Sequence, residues 1–354
     1  VITLNQQLLF MQEEKTENKK SNRQQLIDVE NIKEETEIFK VVSLFSGCGG
    51  MDLGFHGGFE IFGHHYKKNN FEIIYANDID KDACKTYEHN FNMQSICADI
   101  KDIDKKTIPK ADIVVGGFPC QDFSHAGKRR GLNSERGNLY LEMKSVIEEV
   151  KPKAFVAENV YGLKTMKADK VKPALDHIIS EFEEIGYEVS YKVLNSADYG
   201  VPQTRIRIII IGIDKKLDKE ILFPKPVRSE NGEIPWLTAK EAIDDLWDKI
   251  EATEIPNHTQ RDYSKAKFYP GKRMQGNNQI KGYKPSTTIR AEHHGNIEAH
   301  YRTTMPDDPG NPLGWRRLSV RECARLQSFP DNFVYASSAS KAYKQVGNAV
   351  PPIL

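Results

Sequence analysis

The chain has 354 residues, 39% hydrophobic and 28% charged, and its 50 Lys and Arg balance 50 Asp and Glu to a formal net charge of zero. That is enough chain for a large core and a smaller second unit. No apolar run approaches the roughly 20 residues that span a bilayer, and the first twelve residues carry neither a basic flank nor a small-residue cleavage site, so a cytoplasmic protein is expected. Five scattered cysteines with no paired spacing point away from a disulfide framework and from zinc.

Residues 1–40 are rich in Glu, Lys, Asn and Gln, the pattern of a charged N-terminal extension. From residue 41, short β-branched or apolar runs alternate with amphipathic stretches: 41–45, 73–76, 113–115, 154–157, 191–194 and 206–211. The alternation predicts a doubly wound, mostly parallel α/β sheet over residues 41–221 with helices on both faces.

The first run leads into Phe45-Ser46-Gly47-Cys48-Gly49-Gly50, where glycines let a ligand approach the backbone. The spacing differs from the dinucleotide fingerprint GxGxxG. The second run ends at Asn77-Asp78, and an acidic residue there suits the paired hydroxyls of a ribose. Asp99 follows a further strand candidate, and an adenine amino group would account for it.

The run 113–115 opens Gly116-Gly117-Phe118-Pro119-Cys120-Gln121. A strand ending there presents the Cys120 thiol at the sheet edge where open α/β folds place their ligands, and Pro119 restricts the loop that carries it. Cys120 is therefore a candidate nucleophile, with an inert core thiol as the alternative. Glu158 closes the run 154–157 at the same edge. Gln203-Thr204-Arg205-Ile206-Arg207 enters the last run with both arginines on one face, because strand side chains alternate. Their planar guanidiniums suit phosphate or carbonyl oxygens.

Beyond residue 213 six prolines, from Pro224 to Pro285, break the chain into short pieces, which predicts a second, smaller irregular domain over residues 222–316. Between Asn257 and Arg325 thirteen Lys and Arg face six Asp and Glu, an electrostatic footprint for phosphate. Ser319 followed by Glu322 predicts a capping box opening a helix in the final segment, 317–354.

The ordered series FSGCGG, ANDID, GGFPCQDFS, AENV, QTRIR, RLSVRECARLQSFPDNF and QVGNAVPP resembles that of the bacterial DNA cytosine-5 methyltransferases. The likeness implies an S-adenosylmethionine-dependent methyltransferase fold with a target-recognition domain, and transfer of a methyl group to carbon 5 of a flipped-out cytosine in duplex DNA. By the same likeness Cys120 adds to carbon 6 of the base, Glu158 serves ring nitrogen 3, and Arg205 and Arg207 hold the carbonyl oxygen and a phosphate. The implied cofactor, S-adenosylmethionine, leaves as S-adenosylhomocysteine, with no metal. Its pocket would be formed by Phe45, Ser46, Gly47, Cys48, Gly50, Asp78, Ile79, Asp99, Ile100, Gly117, Pro119 and Leu139, closed by Asn348, Ala349 and Val350. Gln121, Ser124, Lys128, Arg129, Arg130 and Asn159 would meet DNA, most of them on a loop that closes after flipping.

The resemblance further implies a monomer protecting DNA from a cognate restriction endonuclease of the same site, and a nucleoid association when bound. Residues 56–70 form a longer stretch than the compact form of the family has, and the family usually continues beyond the position of Leu354 into a further helix. A transfer RNA cytosine-5 methyltransferase and a catalytically silent DNA-binding relative are the alternatives, the second disfavoured by retention of Cys120, Glu158 and both arginines.

Overall fold

The computed structural model describes residues 37–119, 139–166, 173–251, 254–263, 268–269, 271–272, 274, 276–293, 299–303 and 314–354. Strand β1 (Phe39–Leu44) shows how its sequence builds the sheet. Val42 and Leu44 point to one face and Val41 to the other, and all three are fully buried. Strands covered on both faces read as continuous apolar runs because neither side meets water.

The chain continues through α1 (Gly50–His56), the hairpin β2 (Phe59–Ile61) and β3 (His64–Tyr66), then β4 (Phe71–Asp78), α2 (Lys81–Phe91), β5 (Ile96–Cys97) and β6 (Ile113–Gly116). After α3 (Leu139–Val150) come β7 (Ala154–Val160), α4 (Gly162–Thr165), α5 (Ala174–Glu184), β8 (Tyr187–Asn195) and β9 (Ile206–Asp214). Strands β4, β5, β1, β6 and β7 run parallel, while β9 lies antiparallel to β7 and to the edge strand β8. The order β5-β4-β1-β6-β7-β9-β8 starts at the centre, runs outward through β4, then returns to β6 on the other side of β1. This reversal makes the carboxyl ends of β1 and β6 a switch point, where open α/β sheets form their ligand crevice.

One face of the sheet, through Val42, Leu44, Val114, Phe155, Ala157, Ile208 and Ile210, packs on α3 and α5. In α5 the buried residues Ala174, Leu175, Ile178 and Phe182 recur at helical spacing. Phe182 meets the Phe155 ring at 4.6 Å between centroids, and a Cβ on Gly212 of β9 would fall 2.0 Å from that ring. The opposite face, Val41, Ile113 and Val115, is covered by Met51 and Phe55 of α1. The stretch 56–70, expected to exceed the compact form of the family, forms the β2–β3 hairpin.

Later elements are α6 (Ala239–Ile243), β10 (Asn278–Gln279), β11 (His300–Thr303), β12 (Trp315–Arg317), α7 (Val320–Leu326) and α8 (Ala339–Asn348). Residues Ile38–Ile221 and Lys225–Leu354 belong to one unit. Strands β10, β11 and β12 form a small mixed sheet. The Ser319 hydroxyl accepts from the Glu322 amide at 3.1 Å and the Glu322 carboxylate accepts from the Ser319 amide at 2.8 Å, so the expected capping box opens α7.

The register of β11 and β12 sets Arg302 opposite Arg316, a like-charged pair that is unfavourable by itself. Both guanidiniums stack on Trp247, at 4.9 and 4.5 Å, and both reach the wholly buried Glu322, at 2.9 and 2.6 Å. One carboxylate thus caps a helix and bridges the strand pair, and Asp244, 3.1 Å from Arg302, supplies the second negative charge. Burial disfavours its ionisation, but Arg316 and then Arg302 hold the Glu322 carboxyl below its usual range. A carboxyl depressed by folding adds stability that is complete above its unfolded pKa of about 4.3 and is lost as pH falls through the lower folded value. In urea unfolding, Glu322→Ala is expected to cost about 3–5 kcal/mol, because Arg316 loses its buried carboxylate and Arg302 keeps only the more exposed Asp244. Glu322→Gln should also remove the part of the wild-type acid destabilisation that lies in that window.

Candidate active site

At the end of β1 the chain turns sharply. Phe45 and Gly47 have φ of 52° and 56°, in the left-handed region. The turn is tied to the end of β4: the Ser46 amide donates to the Asn77 carbonyl at 3.0 Å and the Gly47 amide to Asp78 Oδ2 at 2.8 Å. Asp78 Oδ1 accepts from the Asp80 amide at 2.8 Å. Burial pushes the Asp78 carboxyl up, against these amides. A carboxylate has about four acceptor sites, so two amides leave capacity for a ligand's hydroxyls. Around a Cβ placed on Gly47 no atom lies within 4 Å among the described residues.

Asn77, 1% exposed, donates to the carbonyls of Ile96 and Ala98 at 2.7 and 2.9 Å, which holds the turn before Asp99 against β4. Asp99 then caps a short 3-10 turn through the Lys101 amide. Ile100 is buried in the first core, whereas Ile79 is 66% exposed at the sheet edge. Leu139 packs on the same core at the start of α3. The Cys48 thiol is buried against the Gln345 carbonyl at 3.9 Å, and burial pushes it up to about 12. Gly50 is needed for a close approach, since a Cβ there would fall 2.3 Å from the Val350 carbonyl and 3.1 Å from the Ala349 side chain. Asn348, the exposed last residue of α8, leads into that segment.

Strand β6 ends at Gly116, which pairs with Ala157, so Gly117 faces Glu158. A Cβ on Gly117 would stand 3.1 Å from Glu158 Oε2. Asn159 Nδ2 donates to the Phe118 carbonyl at 3.1 Å, fixing the backbone just before the half-buried Pro119. Arg207 Nε lies 2.7 Å from Glu158 Oε1, an ionic contact whose N–H is not aimed along the line to the oxygen. Cys120, Gln121, Ser124, Lys128, Arg129 and Arg130 lie outside the described residues.

The two arginines take different partners. Arg205 precedes β9, is 2% exposed, and donates through Nη1 to the Ile289 carbonyl and through Nη2 to the Gly347 carbonyl, each at 3.0 Å. Burial first, then the charge of Arg207, pulls it well below the usual arginine range. Beside it Gln203 Nε2 donates to the Leu326 carbonyl and to Gln327 Oε1, both at 3.0 Å, and its Oε1 accepts from the Ile289 amide at 3.0 Å. A Cβ on Gly347 would fall 2.1 Å from the Arg290 carbonyl carbon. Sequence reasoning assigned no role to Asn77, Gln203, Gln327 or Gly347.

The model of the C-5 cytosine-specific DNA methylase family matches residues 39–354. The chain is 36% identical over 347 residues to the Type II methyltransferase M.NgoFVII of Neisseria gonorrhoeae, covering 92% of this chain and 86% of that one. It is 37% identical to M.FnuDI of Fusobacterium nucleatum, covering 88% and 90%. Among solved structures, the Entamoeba histolytica methyltransferase EhMeth superposes with a TM-score of 0.61 at 17% identity, covering 90% of this chain and 95% of that one. The Dnmt2 methyltransferase of S. pombe does so with 0.60 at 19%, covering 89% and 95%. The sheet described above is thus shared with methyltransferases, and the chain belongs to the C-5 cytosine-specific DNA methylase family as a DNA cytosine-5 methyltransferase.

Proposed function

We propose that the carboxyl ends of β6, β7 and β9 form the catalytic centre, with Cys120 as nucleophile and Glu158 and Arg207 as its partners on the base. The observation that carries this reading is the convergence of Glu158, Arg207 and the Gly117–Phe118 backbone two residues before Cys120. The Cys120 thiolate adds to carbon 6 of an extruded cytosine, whose unstacking costs a few kcal/mol. Glu158 holds the proton or hydrogen bond at ring nitrogen 3, and Arg207 steadies that carboxylate and faces the ring's carbonyl oxygen. S-adenosylmethionine, bound at the Phe45–Gly50 turn and Asp78, supplies the electrophilic methyl group. Water then accepts the carbon 5 proton, and the bond to Cys120 breaks as the ring double bond re-forms. Arg205, with both terminal nitrogens on main-chain carbonyls, is a positioning residue and does not touch the base.

Residues 222–316 read the target sequence, and the basic excess in and beyond them meets phosphates. Ser124, Lys128, Arg129 and Arg130 belong to the loop that closes over DNA, and Gln121 contacts the DNA just before it. Similarity to proteins named Type II methyltransferases supports a protective role beside an endonuclease of the same specificity, and we propose that a monomer exercises it at the nucleoid. No helix among the described residues is long and apolar enough to cross a membrane.

With radiolabelled S-adenosylmethionine and duplexes carrying 5-fluorocytosine, wild type should form a labelled adduct stable to a denaturing gel and Cys120→Ser should not. An adduct with RNA and with no DNA tested would sink the assignment. Glu158→Gln and Arg207→Ala are expected to lower turnover by about 10²- to 10⁴-fold while remaining folded. Arg205→Ala should instead lose about 2–5 kcal/mol of stability, as two charge-assisted hydrogen bonds disappear from the interior. Titration calorimetry of Asp78→Ala should give a cofactor dissociation constant raised about ten- to a hundredfold.

A further inference from the structure

We propose that Cys84 and Cys97 form an oxidation site, a thiol pair that a hydroperoxide converts to a disulfide at the rim of the cofactor crevice. The segments that carry the two cysteines meet at one carbonyl. Cys84, buried on α2, donates its thiol to the Asp78 carbonyl at 3.5 Å. Cys97, exposed on β5, is the register partner of Asp78, and the next amide, that of Ala98, donates to the same carbonyl at 3.1 Å. Helix α2 packs on β5, so the two thiols stand on neighbouring elements. Burial pushes the Cys84 thiol up to about 12, with the Ser95 hydroxyl opposing and the Cys97 thiol adding to the rise.

The exposed member reacts first. The Cys97 thiolate attacks the peroxide oxygen, the O–O bond breaks, hydroxide leaves, and Cys97 becomes a sulfenic acid. Cys84 then attacks that sulfur, the S–O bond breaks, and the departing hydroxide takes the Cys84 proton as water. In sum two thiols lose two electrons and one peroxide becomes two waters. The second step is the slow one, because a buried thiol is seldom ionised.

The bond removes the Cys84 hydrogen bond to the Asp78 carbonyl and draws β5 toward α2. Asp78 and Asp99, the latter two residues past Cys97, stand on the segments that move, so the oxidised form binds S-adenosylmethionine more weakly. This consequence rests on the proposed cofactor pocket.

The experiment uses the full chain carrying Cys120→Ser, which removes the competing nucleophile, with and without Cys97→Ser. Hydrogen peroxide should lower the intact mass by about 2 Da, peptide mapping should join Cys84 to Cys97, and a sulfenic-acid trap should label Cys97 alone. The dissociation constant for S-adenosylmethionine should rise on the order of tenfold and return on reduction, with no change in the Cys97→Ser protein, whose substituted site is exposed. Oxidation of Cys97 that leaves Cys84 open to alkylation overturns the pair. A mapped disulfide with unchanged affinity overturns its effect on the crevice. If the reduced protein itself fails to bind S-adenosylmethionine, the cofactor reading fails, and the mass and mapping results still decide the thiol pair.

Discussion

A guanidinium buried with no carboxylate within hydrogen-bonding distance among the described residues ties the distant segments of this structure together. Arg205 donates to the Ile289 and Gly347 carbonyls, which lie far apart in sequence from it and from each other. A buried charge is costly unless its donors are used, so the position of both segments is dictated by the need to supply oxygens to Arg205. Gln203 adds the Ile289 amide and the Leu326 carbonyl to the same clasp. The consequences run outward from there. Gly347 must lack a side chain because α8 passes against Arg290, and the end of α8 then delivers Ala349 and Val350 to Gly50 in the turn after β1. Two arms of the proposed site, the β9 arginine and the segment closing the cofactor crevice, are set by one residue that reaches neither ligand.

Three arginine arrangements in the chain differ by what surrounds them. Glu322 is wholly buried between Arg302 and Arg316, with its remaining acceptor capacity used by the Ser319 amide. That saturation makes it a structural node. Arg205 gives both terminal nitrogens to neutral main-chain carbonyls. The Glu158–Arg207 pair keeps 11% and 13% of its side-chain surface exposed at the sheet edge, and the Arg207 Nε–H is not spent on a well-aimed hydrogen bond. Partial exposure at the sheet edge distinguishes a pair available to a substrate from one that only holds the fold.

Much of this was legible in the sequence, and the reasons are particular. The strands announced themselves because Val41, Val42, Ile113, Val114, Val115 and Phe155 sit in a sheet covered on both faces, where the runs are almost wholly apolar and the small Ser43 is the polar residue inside the first. The α7 start was legible because a capping box is local, needing only Ser319 and Glu322. The antiparallel course of β8 and β9 was not, since direction is fixed by contacts across the sheet and leaves no mark on composition. Strand alternation set Arg205 and Arg207 on one face, yet β9 begins at Ile206, and the residue before a strand is free of its alternation. The hairpin at 59–66 also escaped notice, its strands being three residues each.

The cofactor edge shows the limit of reading side chains singly. Asp78 drew attention as an acid at a strand end, but its carboxylate is partly engaged by the Gly47 and Asp80 amides, and its main-chain carbonyl is shared by Cys84 and Ala98. The residue is therefore a junction of the β1 turn, α2 and β5, and a ligand held by its carboxylate is sensitive to whatever moves those three. Asn77, one residue earlier, fastens β5 from the opposite side through the Ile96 and Ala98 carbonyls. Rigidity there comes from main-chain groups held by short polar side chains. Any chemistry that changes one of those side chains, oxidation of a thiol included, acts on the crevice without touching the groups that would bind the ligand.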